Sequence, residues 1–132
     1  MIQLQASRTQ AGGDWNSDMW GAVSLWPGDK VYAGMPGQGI YYTNAETIRG
    51  FATSPEDMWE ALQVPAHERF GYRMQIAEYE VMYPVSVPAG RCRNNGAFGG
   101  GGGFQYMIAD HQMLLRSTGR VLDLRHGAHL MV

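Results

Sequence analysis

Five consecutive glycines, Gly99 to Gly103, stand directly in front of a short segment, Phe104 to Ile108, that is typical of a β-strand. A run of this length is too long for a tight turn and too short for a low-complexity linker. Glycine has no Cβ, so its backbone can approach a ligand closely or adopt positive φ. The run therefore predicts either a flexible lip that leads Gln105 into a cleft or an ordinary surface loop, and composition favours neither.

The rest of the chain predicts a small α+β domain in which strands dominate and do not alternate regularly with helices. Strand-like segments recur at 22–26, 30–34, 39–43, 72–83, 85–87, 104–108 and 120–124. Alternation breaks near Ala77, which indicates a β-bulge there. Pro84 and Pro88 predict that the segment 85–87 is an edge strand, because proline cannot donate to a sheet ladder.

Helix signals are few and local. Ser54 followed by Pro55 indicates an N-cap and a first helical residue. Asn44 or Thr47 can cap a shorter helix at 46–51. A further helical turn is predicted over 111–118, with Gly119 ending it.

Size and charge exclude several classes of protein. The chain has 132 residues, one domain's worth, and a net charge of -2, which disfavours nucleic acid as a partner. No apolar run approaches the length that spans a membrane, and the N-terminus shows no signal peptide. Lys30 is the single lysine against nine arginines, and Cys92 is the single cysteine, so no internal disulfide is expected.

Metal and nucleophile motifs are weak. His126 and His129 form an HxxH pair, but no third ligand accompanies them, so no metal site is predicted. Cys92 lies between Arg91 and Arg93, which would lower a thiol pKa, yet a structural thiol is the favoured interpretation.

Aromatic residues flank both glycine-rich turns and offer rings that can stack on a planar ligand or simply pack in the core. They are Tyr32, Tyr41, Tyr42, Trp59, Phe98, Phe104 and Tyr106.

The stretch 79–106 resembles a known toxin family. It runs Tyr79-Glu80-Val81, then Pro84, then Val85 to Gly90, and it ends in the glycine run followed by Gln105-Tyr106. These motifs are similar, in this order, to those of the tuberculosis necrotizing toxin (TNT) domain and of the NAD(P) glycohydrolase effectors of bacterial type VI secretion.

The resemblance implies a compact ADP-ribosyltransferase-like fold with a split β-sheet, one or two helices, and NAD or NADP bound as substrate in the cleft, with no cofactor. It implies an NAD(P) glycohydrolase toxin that cleaves the nicotinamide–ribose bond. An ADP-ribosyltransferase that modifies a macromolecule and a non-enzymatic binding module are the alternatives.

The resemblance also assigns site residues. Gln105 corresponds to the family's functional glutamine, which holds the ribose or orients water, and Gln38 is a second polar candidate. Tyr32, Tyr41, Tyr42 and Phe104 are predicted to contact the substrate. The family's first arginine, a pyrophosphate contact, lies beside the first-strand aromatic, where this chain has Val31 with Lys30 one residue further back. The family's second arginine lies before a proline-rich turn and is missing from 62–65 here, so Arg49 is expected to serve, with Arg69 and Arg73 as further options.

The same resemblance predicts how the domain is used. Residues 1–132 are expected to form one toxin domain, or the C-terminal part of a longer effector, which is secreted or delivered into the cytoplasm of a target cell. A producer of such a toxin needs protection, so a cognate immunity protein is the expected partner.

Overall fold

The computed structural model describes residues 21–35, 39–62, 64, 72–92 and 102–132. Seven strands are formed: β1 (Gly21–Leu25), β2 (Lys30–Met35), β3 (Tyr41–Tyr42), β4 (Gln75–Val81), β5 (Val85–Arg91), β6 (Phe104–Met107) and β7 (Leu115–Asp123). Three short helices are described, α1 (Ala45–Phe51), α2 (Pro55–Ala61) and α3 (His111–Leu114), with a 3-10 turn at Ala128–Leu130.

The described strands form two antiparallel sheets. One has the order β1-β5-β6-β3 and the other β2-β4-β7. The small α+β fold with two sheets and few helices is therefore as predicted, while the more specific ADP-ribosyltransferase-like classification stays a prediction. None of the described helices is long and apolar enough to cross a membrane.

Local signals account for both central helices. The Asn44 side chain accepts a 2.8 Å hydrogen bond from the Thr47 N–H, so Asn44 is the N-cap of α1. The Ser54 side chain accepts one from the Asp57 N–H at 3.1 Å, and Pro55 is the first residue of α2, as predicted.

The sheet β2-β4-β7 is covered on both faces. This explains why its strands carry apolar residues on both of their sides. Tyr32 and Ile76 pack with Ile48 of α1 and Trp59 of α2 in one buried cluster. Residues on the opposite side of these strands pack against the other sheet in a second buried cluster. The members of this cluster, from both sheets and the segments beside them, are Leu25, Val31, Ala33, Tyr42, Ala77, Tyr79, Val81, Val87, Ile108 and Leu115.

The predicted bulge is confirmed, since the register between β4 and β7 shifts between Ala77 and Tyr79. β5 as a whole lies between β1 and β6. Within it, residues 85–87 and Pro88 pair with β1 and with no other described strand, because pairing with β6 begins only at Ala89. The predicted edge position of 85–87 is therefore confirmed, and Pro88 lies where β5 has a neighbouring strand on one side only.

The helical turn predicted over 111–118 is present but shorter than predicted. It ends at Leu114, and β7 begins at Leu115. Pairing of Leu115 with Val81 of β4 extends this segment despite its helical pattern. Gly119 lies inside β7 with φ of 84° and does not end a helix.

Candidate functional site

A cavity of about 370 Å³ lies where the two sheets meet. The sheets are joined there by an isolated bridge between Tyr32 of β2 and Thr43 just after β3. The volume is at the lower end of the range for small-molecule sites. The described lining consists of Tyr32, Ala33, Gly34, Gly39, Ile40, Tyr41, Tyr42, Thr43, Trp59, Leu62, Val64, Arg73, Ile76 and Gln105.

Gln105 is the polar residue of β6 that lines this cavity. It is 2% exposed, and its buried Oε1 atom has no hydrogen-bond partner among the described residues. A buried amide oxygen is normally paired, because desolvation of an unpaired acceptor costs about 1–3 kcal/mol. Oε1 is therefore a buried acceptor that the described residues of the cavity wall leave unpaired.

The predicted tyrosines differ in what they offer. Tyr32, Tyr41 and Tyr42 all line the cavity. The Tyr42 ring lies edge-on to the Tyr79 ring at 5.7 Å, so it also belongs to the core between the sheets. Tyr41 is half-buried, and burial raises the pKa of its phenol, which therefore stays protonated at neutral pH. These rings give the cavity an aromatic wall.

Phe104 is not part of the described lining. Its ring lies edge-on to that of Tyr106, with centroids 5.2 Å apart. Gln38, the second polar candidate, lies outside the described residues, so the structure gives no placement for it.

Trp59 and Arg73 also line the cavity. The sequence named Trp59 only among the aromatic residues near the glycine-rich turns and Arg73 only as a further option for phosphate. The indole N–H of Trp59 donates to the Arg73 carbonyl at 2.7 Å. A Cβ on Gly34 would lie 2.8 Å from Cη2 of Trp59 and 3.0 Å from Cδ of Arg73. Gly34 therefore makes room for both side chains, and an isolated glycine inside a strand is the sequence signal for such a close approach.

The two cations chosen from the sequence lie elsewhere. The Lys30 ammonium donates to the Gly28 carbonyl at 2.9 Å and forms an ion pair with Glu80 at 3.3 Å. Arg49 is exposed in the last turn of α1. Neither residue is in the cavity lining, whereas Arg73, one of the further options, is.

A buried carboxylate lies behind Tyr32. Glu78 is 6% exposed and accepts hydrogen bonds from the Tyr32 hydroxyl at 2.9 Å, from Thr118 at 2.9 Å and from Arg120 at 3.3 Å. Burial alone would raise the pKa of Glu78, but the bonds from Thr118 and Tyr32 and the charge of Arg120 outweigh it and lower that pKa. Burial, together with the Glu78 hydrogen bond and charge, raises the pKa of Tyr32 to about 12.

The described end of the glycine run is packed against protein. The Gly103 N–H donates to the Ala61 carbonyl at 2.9 Å, and its carbonyl accepts from the Cys92 N–H at 2.8 Å. A Cβ on Gly103 would lie 2.7 Å from a methyl of Leu62. Gly103 thus permits β6 to begin directly beside the C-terminal end of α2, and the Cys92 thiol is buried at the same junction.

The described lining contains no Asp, Glu, His or Cys side chain. It therefore offers no carboxylate pair, thiol or imidazole for general acid–base or nucleophilic chemistry. Within the described ranges, no group of three or more His, Cys, Asp or Glu side chains is arranged to hold a metal ion. The described lining offers the Gln105 amide, aromatic faces, tyrosine and threonine hydroxyls and one guanidinium.

Comparison with known proteins decides the family. The family model of the Rhs1 C-terminal toxin domain matches residues 3–110. This chain belongs to that family. The chain is also similar to the solved structure of Rhs1-CT in complex with its cognate immunity protein RhsI1, with 31% identity, 93% of this chain and 96% of that chain covered, and a TM-score of 0.85.

A second solved structure, Tse6 in complex with Tsi6, is similar in fold to this Rhs1 toxin domain. The TM-score is 0.56 at 15% identity, over 91% of this chain and 99% of that one. No curated protein matches the chain.

The predicted membership of the TNT domain and NAD(P) glycohydrolase effector family is wrong. The Rhs1 toxin-domain model covers most of the chain, and Rhs1-CT matches almost its full length. The motifs that suggested the other family occupy only residues 79–106, and a glycine run before a Gln-Tyr strand is too short a pattern to separate toxin families. The prediction of a toxin domain is confirmed at the family level.

Proposed function

We propose that this Rhs1 toxin domain hydrolyses the nicotinamide–ribose bond of NAD or NADP, with the dinucleotide as substrate. The observation that carries the proposal is the buried, unpartnered Oε1 of Gln105 in an aromatic-walled cavity whose described lining has no acid, imidazole or thiol. Most glycosidic bonds need a general acid to protonate the leaving group. Nicotinamide leaves NAD as a neutral molecule, so this bond can be cleaved without one.

Each feature of the cavity then has a role. Tyr32, Tyr41 and Trp59 provide the aromatic surface against which the planar nicotinamide ring packs. Gln105 accepts a hydrogen bond from a ribose hydroxyl or from the attacking water through Oε1. As nicotinamide departs, the ribose becomes an oxocarbenium-like cation, and water adds to its C1 and releases a proton to solvent.

The dinucleotide also carries two phosphates, and these need a cation. Arg73 is the described arginine of the lining, and a guanidinium binds phosphate oxygens through a planar set of N–H donors. Arg73 is therefore assigned the pyrophosphate, in preference to Lys30 and Arg49. A dinucleotide is too large for the cavity to enclose completely, so its adenosine end is expected to extend out of the cavity.

The test is nicotinamide release by the purified domain, measured chromatographically with NAD and with NADP. Gln105→Ala is expected to abolish most of the release while the folded state survives. Gln112→Ala, at an exposed glutamine of α3, is the matched control and should keep full activity. Undiminished release by Gln105→Ala contradicts the assignment of Gln105.

Two further assays distinguish the proposed hydrolase from two other functions. An ADP-ribosyltransferase transfers label from labelled NAD to a macromolecule, whereas a hydrolase labels none. A non-enzymatic binding module neither releases nicotinamide nor harms a cell that expresses it.

We further propose that a cognate immunity protein binds this domain and covers the cavity mouth, and that the toxin acts inside a target cell, where NAD is available. The supporting observation is that the relative Rhs1-CT was solved in complex with its cognate immunity protein. A stoichiometric amount of the immunity protein should stop nicotinamide release. Undiminished nicotinamide release by the stable complex would contradict binding of the immunity protein over the cavity mouth.

A further inference from the structure

The strand β3 ends one residue before it would reach Gln105. Tyr41 pairs with Met107 and Tyr42 with Tyr106, so the next pair in this register would be Thr43 with Gln105. Thr43 instead pairs with Tyr32 in the other sheet through two backbone hydrogen bonds, of 2.8 and 3.0 Å. The ladder beside Gln105 is therefore interrupted at the junction of the two sheets.

Two threonine side chains replace the interrupted ladder. The Thr43 hydroxyl donates to the Phe104 carbonyl at 2.6 Å, and the Phe104 N–H donates to the Thr47 hydroxyl at 2.9 Å. Thr43 is 2% exposed and Thr47 is 4% exposed, so water does not compete for these bonds. Both polar groups of the Phe104 backbone are thus held by side chains.

This pair of bonds bears directly on Gln105. The Phe104 carbonyl belongs to the same planar peptide unit as the Gln105 nitrogen, so Thr43 fixes the plane from which Gln105 projects. Thr47 is itself held, because it is buried at the start of α1 and its N–H donates to the Asn44 side chain at 2.8 Å. The orientation of Gln105 is therefore tied to the first turn of a capped helix.

We propose that Thr43 and Thr47 are positioning residues, whose hydroxyls hold the Phe104 backbone so that the Gln105 amide keeps its place in the wall of the cavity. The proposal rests on the proposed function in so far as it concerns turnover. A site works at full rate only when the reacting groups stay close to the productive geometry, and small displacements cost rate steeply. The two hydroxyls act through the Phe104 peptide and do not themselves take part in the reaction.

The experiment compares valine and serine at each position, because valine removes the hydroxyl and serine keeps it. Thr43→Val and Thr47→Val are expected to lower kcat for nicotinamide release at least about tenfold with KM changed less than threefold, and the serine variants to stay within threefold of wild type. Thr53→Val is the matched control. Its hydroxyl donates to Asp57 at 2.7 Å at the start of α2, away from the lining, and its kcat should be unchanged.

A second readout does not depend on turnover. The side-chain amide resonances of Gln105, identified by their loss in Gln105→Met, should move in both valine variants and return in the serine variants. Should wild type release no nicotinamide, the proposed function fails, while the resonances still decide the positioning role. Folded valine variants with unchanged resonances and kcat overturn the proposal. Should valine prevent folding, serine variants with wild-type kcat and resonances support the hydroxyl role, and serine variants with kcat lowered tenfold overturn it.

Discussion

The Tyr32 hydroxyl donates a 2.9 Å hydrogen bond to the Glu78 carboxylate, and the two residues are direct cross-strand partners in β2 and β4. Tyr32 lines the cavity, whereas Glu78 is not part of the described lining. Glu78 also accepts hydrogen bonds from Thr118 and Arg120. This network favours the ionised carboxylate and lowers the Glu78 pKa, because Arg120 can only donate and both hydroxyls donate to it. This makes the wall of the cavity sensitive to acid.

The free energy of unfolding should fall on the acid side because of Glu78. Its pKa is lowered on folding from the ordinary value of 4.5, so the stabilisation is complete above that value and is lost as the pH falls through the lower folded-state pKa. Glu78→Gln, which keeps an acceptor but not the charge, should be less stable than wild type at pH 7. The difference should shrink towards pH 3, as measured by urea unfolding across that range.

Glu80→Gln is the matched control on the same strand. Glu80 pairs with Lys30 and Arg116 at the surface, where an ion pair contributes about 0–1 kcal/mol. The free energy of unfolding of Glu80→Gln at pH 7 should differ from wild type by less than about 1 kcal/mol. An equal loss in both variants contradicts a special role of the buried carboxylate.

Replacing Gln105 by methionine should separate stability from activity. The side chain keeps its length and loses the buried oxygen that has no partner, so the free energy of unfolding should equal wild type or exceed it by up to about 1 kcal/mol. Nicotinamide release should be abolished. Denaturant unfolding measures the first quantity, with Gln112→Met as the surface control. A loss of more than about 1 kcal/mol would show that the amide serves the fold.

Gly34→Ala should disturb the Trp59 and Arg73 contact. The added Cβ would meet Trp59 at 2.8 Å and Arg73 at 3.0 Å, so a loss of about 1–3 kcal/mol in unfolding free energy is expected, together with a raised KM. Gly39→Ala is the control on the same cavity, because a Cβ there meets nothing within 4 Å. Equal stabilities of the two variants would contradict the close approach.

Arg73 and Lys30 should differ in their effect on substrate binding. A charge-assisted hydrogen bond contributes about 1.5–3 kcal/mol, so Arg73→Ala should raise KM for NAD at least about tenfold, with little change in kcat. The carbonyl that accepts the Trp59 N–H is retained in this variant. Lys30→Ala should leave KM within twofold of wild type. The reverse pattern would assign the phosphate to Lys30.

Several features follow from the sequence because their causes lie within a few adjacent residues. The caps at Asn44 and Ser54, the bulge after Ala77 and the strand that carries Gln105 were all predicted. The α+β class follows from the same local patterns. Gln105 was selected through the resemblance to the TNT domain, and its role stays a prediction.

Other features depend on which distant segments pair. Local pattern extended a helix to residue 118, whereas strand pairing began β7 at Leu115 and placed the second half of β5, from Ala89, between β1 and β6. The motif at 79–106 suggested the TNT domain, and the match over 3–110 corrected it.

The sequence by itself determined the local elements, because capping, alternation and turn chemistry act over a few residues. Only the tertiary structure decided that Gly34 brings Trp59 and Arg73 together, that Tyr32 rests on Glu78, and that two threonines hold Phe104 beside Gln105. The reason is physical, since each of these contacts joins residues from separate elements and depends on strand register and helix packing, which no short segment of the chain encodes.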